Sequence, residues 1–167
     1  MKAWKDSELF SATTIILITL VFAIIVYLRF FNLNFFAGPY RFTHWLTLIG
    51  TFFIAFYSPI YYIAKRKYPA KIRSLLRVHV FGNLLSFLLI TIHFAQQISR
   101  PEAFFPDLST GIVLYIAMPI LVATGYLHRF QVYKNIKPHT NRFLHVSLTL
   151  SFYLTILVHI LQGLNII

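Results

Sequence analysis

The stretch LLRVHVFGNLLSFLLITIHFAQQI, residues 75–98, is apolar along nearly its whole length yet carries two histidines, His79 and His93, fourteen residues apart. A second stretch, FLHVSLTLSFYLTILVHILQGL at 143–164, repeats the spacing with His145 and His159. In an α-helix, that separation falls about 40° short of four full turns and raises the second ring about 21 Å above the first. Both imidazoles of a pair therefore look out from nearly one helix face. A histidine in hydrocarbon is costly unless it finds a partner, which makes all four functional candidates.

The rest of the chain puts these stretches in a bilayer. Of its 167 residues 58% are apolar and 11% charged, far from the composition of a soluble domain. Five segments are long and apolar enough to cross about 30 Å of hydrocarbon: 13–31, 44–63, 75–98, 110–126 and 143–164. This predicts an all-α integral membrane fold, a single five-helix transmembrane domain over 1–167. The first segment is longer than a signal-peptide core and no small-residue cleavage site follows it, so it reads as a retained span. Residues 34–39 and 100–107 read as outer turns whose aromatics suit the headgroup level, and Pro119 predicts a kink in the fourth span. With no cysteine, the chain has neither disulfides, thiolate metal ligands nor a covalently attached c-type haem.

The net charge of +11 follows the loops and forms no basic domain, which argues against nucleic acid as a partner. With five spans, Lys2, Lys5, Lys65, Arg66, Lys67, Lys71, Arg73, Arg77, Arg129, Lys134, Lys137 and Arg142 share one side, and only Arg29, Arg41 and Arg100 lie on the other. Twelve against three predicts a cytoplasmic amino terminus, an external carboxyl terminus and a multi-pass protein of the cell membrane. Membrane lipid headgroups account for many of these charges. The odd-numbered spans then run parallel, with His79 two residues beyond Arg77 and His145 three beyond Arg142, at matching depth just below the inner surface.

Parallel helices with this spacing would set His79 opposite His145 and His93 opposite His159, each pair suited to clamp a haem iron. Neutral imidazole is the usual ligand of low-spin haem, its other ring nitrogen oriented by a carbonyl or hydroxyl acceptor. Zinc competes for histidine but gathers about four ligands at one point. Here the ligands come in separated twos, with no Cys, Asp or Glu in the spans to complete a set. Gly82, Ser86 and Gln97 share the stripe of His79 and His93, Gly82 being placed to leave room for a porphyrin. Phe152, seven residues from both His145 and His159, is the candidate relay between two haems, or plain packing. Candidate propionate contacts are Arg73, Arg77, Arg129 and Arg142 inside, and Arg41, His44, Gln97, Arg100 and Gln162 outside. His128 and His139 read as surface residues.

The segments VHVFGNLLSFLLITIHF (78–94) and RFLHVSLTLSFYLTILVHI (142–160) resemble the third and fifth spans of the ferric-reductase-like transmembrane domain. That family includes ferric reductases, NADPH oxidases and the haem-binding membrane subunit of a bacterial methionine sulfoxide reductase. The resemblance covers most of the chain as topology, and its specific part is the four histidines. It implies two haem b, the inner on His79 and His145 and the outer on His93 and His159. The large family members continue into a sixth span and a cytoplasmic flavin and nicotinamide domain. This sequence carries no glycine-rich dinucleotide fingerprint, so no flavin or nicotinamide site is expected in it. Where the oxidases place a further histidine, four positions after the outer ligand of the third span, Gln97 stands here, which counts against superoxide production.

The expectation is therefore a dihaem b-type cytochrome, the electron-transfer subunit of an oxidoreductase, passing single electrons across the bilayer. It would need a separate redox partner: a flavoprotein, a quinol or an extracellular redox protein. One rival is a quinone-reactive cytochrome b subunit of a larger respiratory complex, with Gln96, Gln97 and His44 as its polar pocket. Another is a haem-free membrane anchor or channel whose histidines make interhelical hydrogen bonds.

Overall fold

Backbone amides and carbonyls in hydrocarbon must find partners within their own segment, so long apolar stretches fold as helices. The computed structural model describes residues 2–100, 109–131, 137–163 and 166. Its helices are α1 (Lys2–Tyr27), α2 (Phe42–Lys67), α3 (Ile72–Ile98), α4 (Ser109–Phe130) and α5 (Pro138–Gly163). All five are long and apolar enough to cross a membrane, the architecture of an all-α multi-pass membrane protein. Of the expected outer turns, Pro101–Asp107 lies outside the described residues, as do Lys134 and the side chains of Lys2 and Lys5.

The helix ends differ from the apolar limits for local reasons. α1 begins at Lys2 instead of residue 13, because the residues before the span include the helix formers Lys2, Ala3, Lys5, Glu8 and Leu9 and no Pro or Gly. Glu8 in that extension is only 3% exposed and pairs with Arg77 on α3 at 3.5 Å. α1 stops at Tyr27 instead of 31, where Arg29 takes the left-handed region (φ 58) and Leu28, Arg29 and Phe30 donate back to the last helical carbonyls. α2 ends on Lys65, Arg66 and Lys67, cations that suit the negative end of a helix dipole. A single 3-10 turn, Pro69–Lys71, then reverses the chain into α3. α5 opens on Pro138, whose missing N–H costs nothing at a first helical position.

The expected turn at 34–39 is a small hairpin, β1 (Phe36–Ala37) paired antiparallel with β2 (Tyr40–Arg41) around Gly38-Pro39. Gly38 has φ +71, the sign that the primed hairpin turns require at their first central position. Trp45 ties α2 to this hairpin by donating Nε1–H to the Ala37 carbonyl at 2.7 Å. Both α2 and α4 run on as helix through an internal proline, Pro59 and Pro119 respectively. Each proline leaves the carbonyl one turn earlier without its helical donor.

The chain divides into two compact units, Met1–Phe105 and Pro106–Ile167. In the first, α3 packs against both α1 and α2. The α2–α3 approach is close: a Cβ on Gly50 would lie 3.0 Å from the Ser86 carbonyl oxygen. One turn further along, the ring of Phe53 fills the space over Gly82, so that glycine accommodates α2 and not the flat macrocycle the sequence had suggested. The second unit is the α4–α5 antiparallel hairpin.

Candidate functional site

The histidine stripe of α3 faces α2. His79 stacks on Tyr61, with ring centroids 4.5 Å apart and planes at 17°, and the Lys65 ammonium lies 5.1 Å from the Tyr61 centroid. The Asn83 amide, one turn along α3, sits 3.1 Å from His79 Nδ1 and 3.5 Å from Nε2. Fourteen residues on, Gln97 repeats that i+4 relation with its amide nitrogen 3.5 Å from His93 Nε2. His93 meets a third imidazole, His44 at the start of α2, edge to face at 5.0 Å.

The histidine stripe of α5 faces α4. His145 Nδ1 lies 3.0 Å from Thr124 Oγ1, and His159 Nδ1 lies 2.9 Å from Thr110 Oγ1. Thr110 also donates to Gln162 Oε1 at 2.8 Å. Asn141, 5% exposed, donates to the Thr124 carbonyl at 2.9 Å and pins that end of the hairpin. Phe152, midway between the two histidines on the same stripe, is 3% exposed.

The basic candidates separate by partner. At the His93 end of the first unit, Arg41 bonds Asn34 Oδ1 and lies over Phe36, 5.4 Å from its centroid. Burial, then the Arg41 charge, lowers the pKa of Arg100 from its ordinary value. Arg100 Nε and His44 Nδ1 are buried without a hydrogen-bond partner among the described residues, as are the hydroxyls of Thr43 and Thr47. Gln96 and Gln97 are 8% and 7% exposed. At the opposite end of α3, Arg77 is engaged by Glu8 and Arg73 is exposed. In the second unit Arg129 lies 5.9 Å from the Phe130 centroid, while Arg142, His128 and His139 are exposed.

The orphaned Arg100 Nε and His44 Nδ1, at the end of α3 that carries His93, suit a carboxylate, which is what a haem propionate would bring. Among the described residues no three His, Cys, Asp or Glu side chains gather as a metal cluster. No protein-family model matches the chain, and neither does any curated protein or solved structure.

Reading the sequence located the four histidines and the polar groups near His93, but not Tyr61, Asn83, Thr110 or Thr124. The missed signals were spacings: Asn83 stands four residues after His79, as Gln97 does after His93, and Thr-Gly occurs at 110–111 and again at 124–125.

Proposed function

We propose that this chain is a dihaem b-type membrane cytochrome that carries single electrons across the bilayer, the membrane subunit of an oxidoreductase in the cell membrane. His79 and His145 hold the inner haem, and His93 and His159 the outer one. The observation that carries the reading is the set of four imidazoles at matched fourteen-residue spacing on two membrane-long helices, each ring already met by a polar neighbour at a nitrogen. A haem held between two neutral imidazoles supplies reversible one-electron transfer with no coordination position left for substrate.

The chain's own residues have distinct tasks. The imidazoles are the ligands, and the threonine hydroxyls of α4 orient the two on α5. Arg100 and His44, with Arg41 close by, offer donors for the outer propionates. The apolar helices exclude water. The basic loops between α2 and α3 and between α4 and α5 orient the protein, and a separate flavoprotein, a quinol or an extracellular redox protein supplies or takes the electrons.

Single alanine substitutions at the four ligands test the assignment. His79→Ala and His145→Ala should lose the same haem, and His93→Ala and His159→Ala the other, counted by pyridine haemochrome and by redox titration. Losses grouped by helix would overturn the pairing.

One further observation favours a second reading, a quinone-reactive subunit: Gln96 and Gln97 are buried at the end of α3 where His93 meets a His44 whose Nδ1 has no described partner. A quinone carbonyl there would fit those donors. Quinone analogues that shift the spectrum of the outer haem would support this reading, and an unchanged spectrum would remove it.

A further inference from the structure

α4 carries a repeat that mirrors the one on α5. Thr-Gly occurs in the sequence only at Thr110-Gly111 and Thr124-Gly125, fourteen residues apart, the separation of His145 and His159. Because the hairpin is antiparallel, Thr124 meets His145 and Thr110 meets His159, so each histidine lies against one Thr-Gly pair.

Proton accounting suggests what the threonines do. A hydroxyl has one hydrogen to donate and accepts through its oxygen. Thr124 has two carbonyls of the preceding turn to take its hydrogen, Ile120 at 2.9 Å and Leu121 at 3.1 Å. Thr110 gives its hydrogen to Gln162 Oε1 at 2.8 Å. Each oxygen is then left to accept, and the atom facing it is histidine Nδ1, at 3.0 and 2.9 Å. The glycines give the rings room. A Cβ at residue 125 would press on His145 Cε1 at 3.2 Å, whereas one at residue 111 would touch His159 Cε1 at an ordinary 3.6 Å.

We infer that Thr110-Gly111 and Thr124-Gly125 are two ligand seats that hold His159 and His145 as Nδ1–H tautomers and leave Nε2 of each bare for iron. The inference rests on the cytochrome reading for its use, but the tautomer stands or falls separately. The threonines are positioning residues acting through the imidazoles. An Nδ1–H donated to oxygen makes the ring a stronger donor, and outer partners of this kind change metal affinity by about 10–100-fold when lost. A stronger donor favours ferric over ferrous iron, so loss of a seat raises the potential of the haem concerned. A tenfold loss of that preference reads as about 59 mV.

The test uses the full chain, with Thr124→Val, Thr110→Val and the matching serine variants. Imidazole 15N spectra of the haem-free protein should show His145 and His159 as Nδ1–H tautomers, Thr124→Val altering only His145 and Thr110→Val only His159. Redox titration of the haem-loaded protein should show Thr124→Val raising the potential of the haem that His145→Ala loses. Thr110→Val should raise the other, and serine should restore both. Nε2–H tautomers in the parent protein would overturn the inference even if haem binds. So would two retained haems whose potentials ignore the valine changes. A parent protein that takes up no haem would instead sink the cytochrome reading, leaving the 15N result to decide the seats.

Discussion

Burying a donor without a partner costs about 1–3 kcal/mol, more when it is charged, and Arg100 Nε and His44 Nδ1 both stand in that condition at the His93 end of α3. A carboxylate there offsets the cost, and the protein then holds its ligand partly by relieving its own strain. Arg100→Ala should therefore weaken retention of the outer haem by about 10–100-fold, since a charge-assisted hydrogen bond contributes about 1.5–3 kcal/mol. Haem transfer to apomyoglobin measures that loss, and the inner haem should leave at its parental rate. Equal release of both haems would show that Arg100 serves only the helix end. At the other ring, Tyr61→Leu removes the stack on His79 while keeping an apolar side chain. It should change the low-spin electron paramagnetic resonance signal of the inner haem and leave the outer one as it was.

Two hairpins follow one plan: in each, the second helix carries the histidines and turns them toward the first, α3 toward α2 and α5 toward α4. How tightly the first hairpin closes is set by Gly50 and Gly82. Gly82→Ala would drive a methyl into the Phe53 ring, and overpacking of this sort costs about 1–3 kcal/mol. Its unfolding in detergent should shift to lower temperature, and adding Phe53→Leu should recover part of the loss; an unshifted transition would contradict the close approach. The membrane-long helices themselves were legible from apolar length alone. Their neighbours were not, because which residue of α2 meets His93 depends on the register that the turn at Tyr68–Lys71 imposes. Gly82 shows the difference: its small size was readable, but whether a porphyrin or Phe53 fills the gap is decided across the hairpin. The seats on α4 were hidden for the same reason, since Thr and Gly are ordinary in membrane helices until the opposing residue is known.

For the molecule in its bilayer, the uneven charge of the loops predicts a side for each end of every span. The absence of cysteine makes a direct test simple, because single introduced thiols are the only ones present. In sealed cells, Lys67→Cys should resist a membrane-impermeant maleimide and Gly38→Cys should react; the reverse pattern would invert the assignment of inner and outer haem. Bound cofactor should also stabilise the fold, since a ligand that binds only the native state adds about 2.7 kcal/mol at a hundredfold excess over its Kd. The central claim is that four imidazoles on two spans hold two haems, and a reduced-minus-oxidised spectrum of the purified chain with haem quantitation tests it most directly. The account predicts split b-type bands of bis-histidyl haem and two haems per chain. Protein that folds with its helices intact but takes up no haem, in cells or on reconstitution, would contradict it.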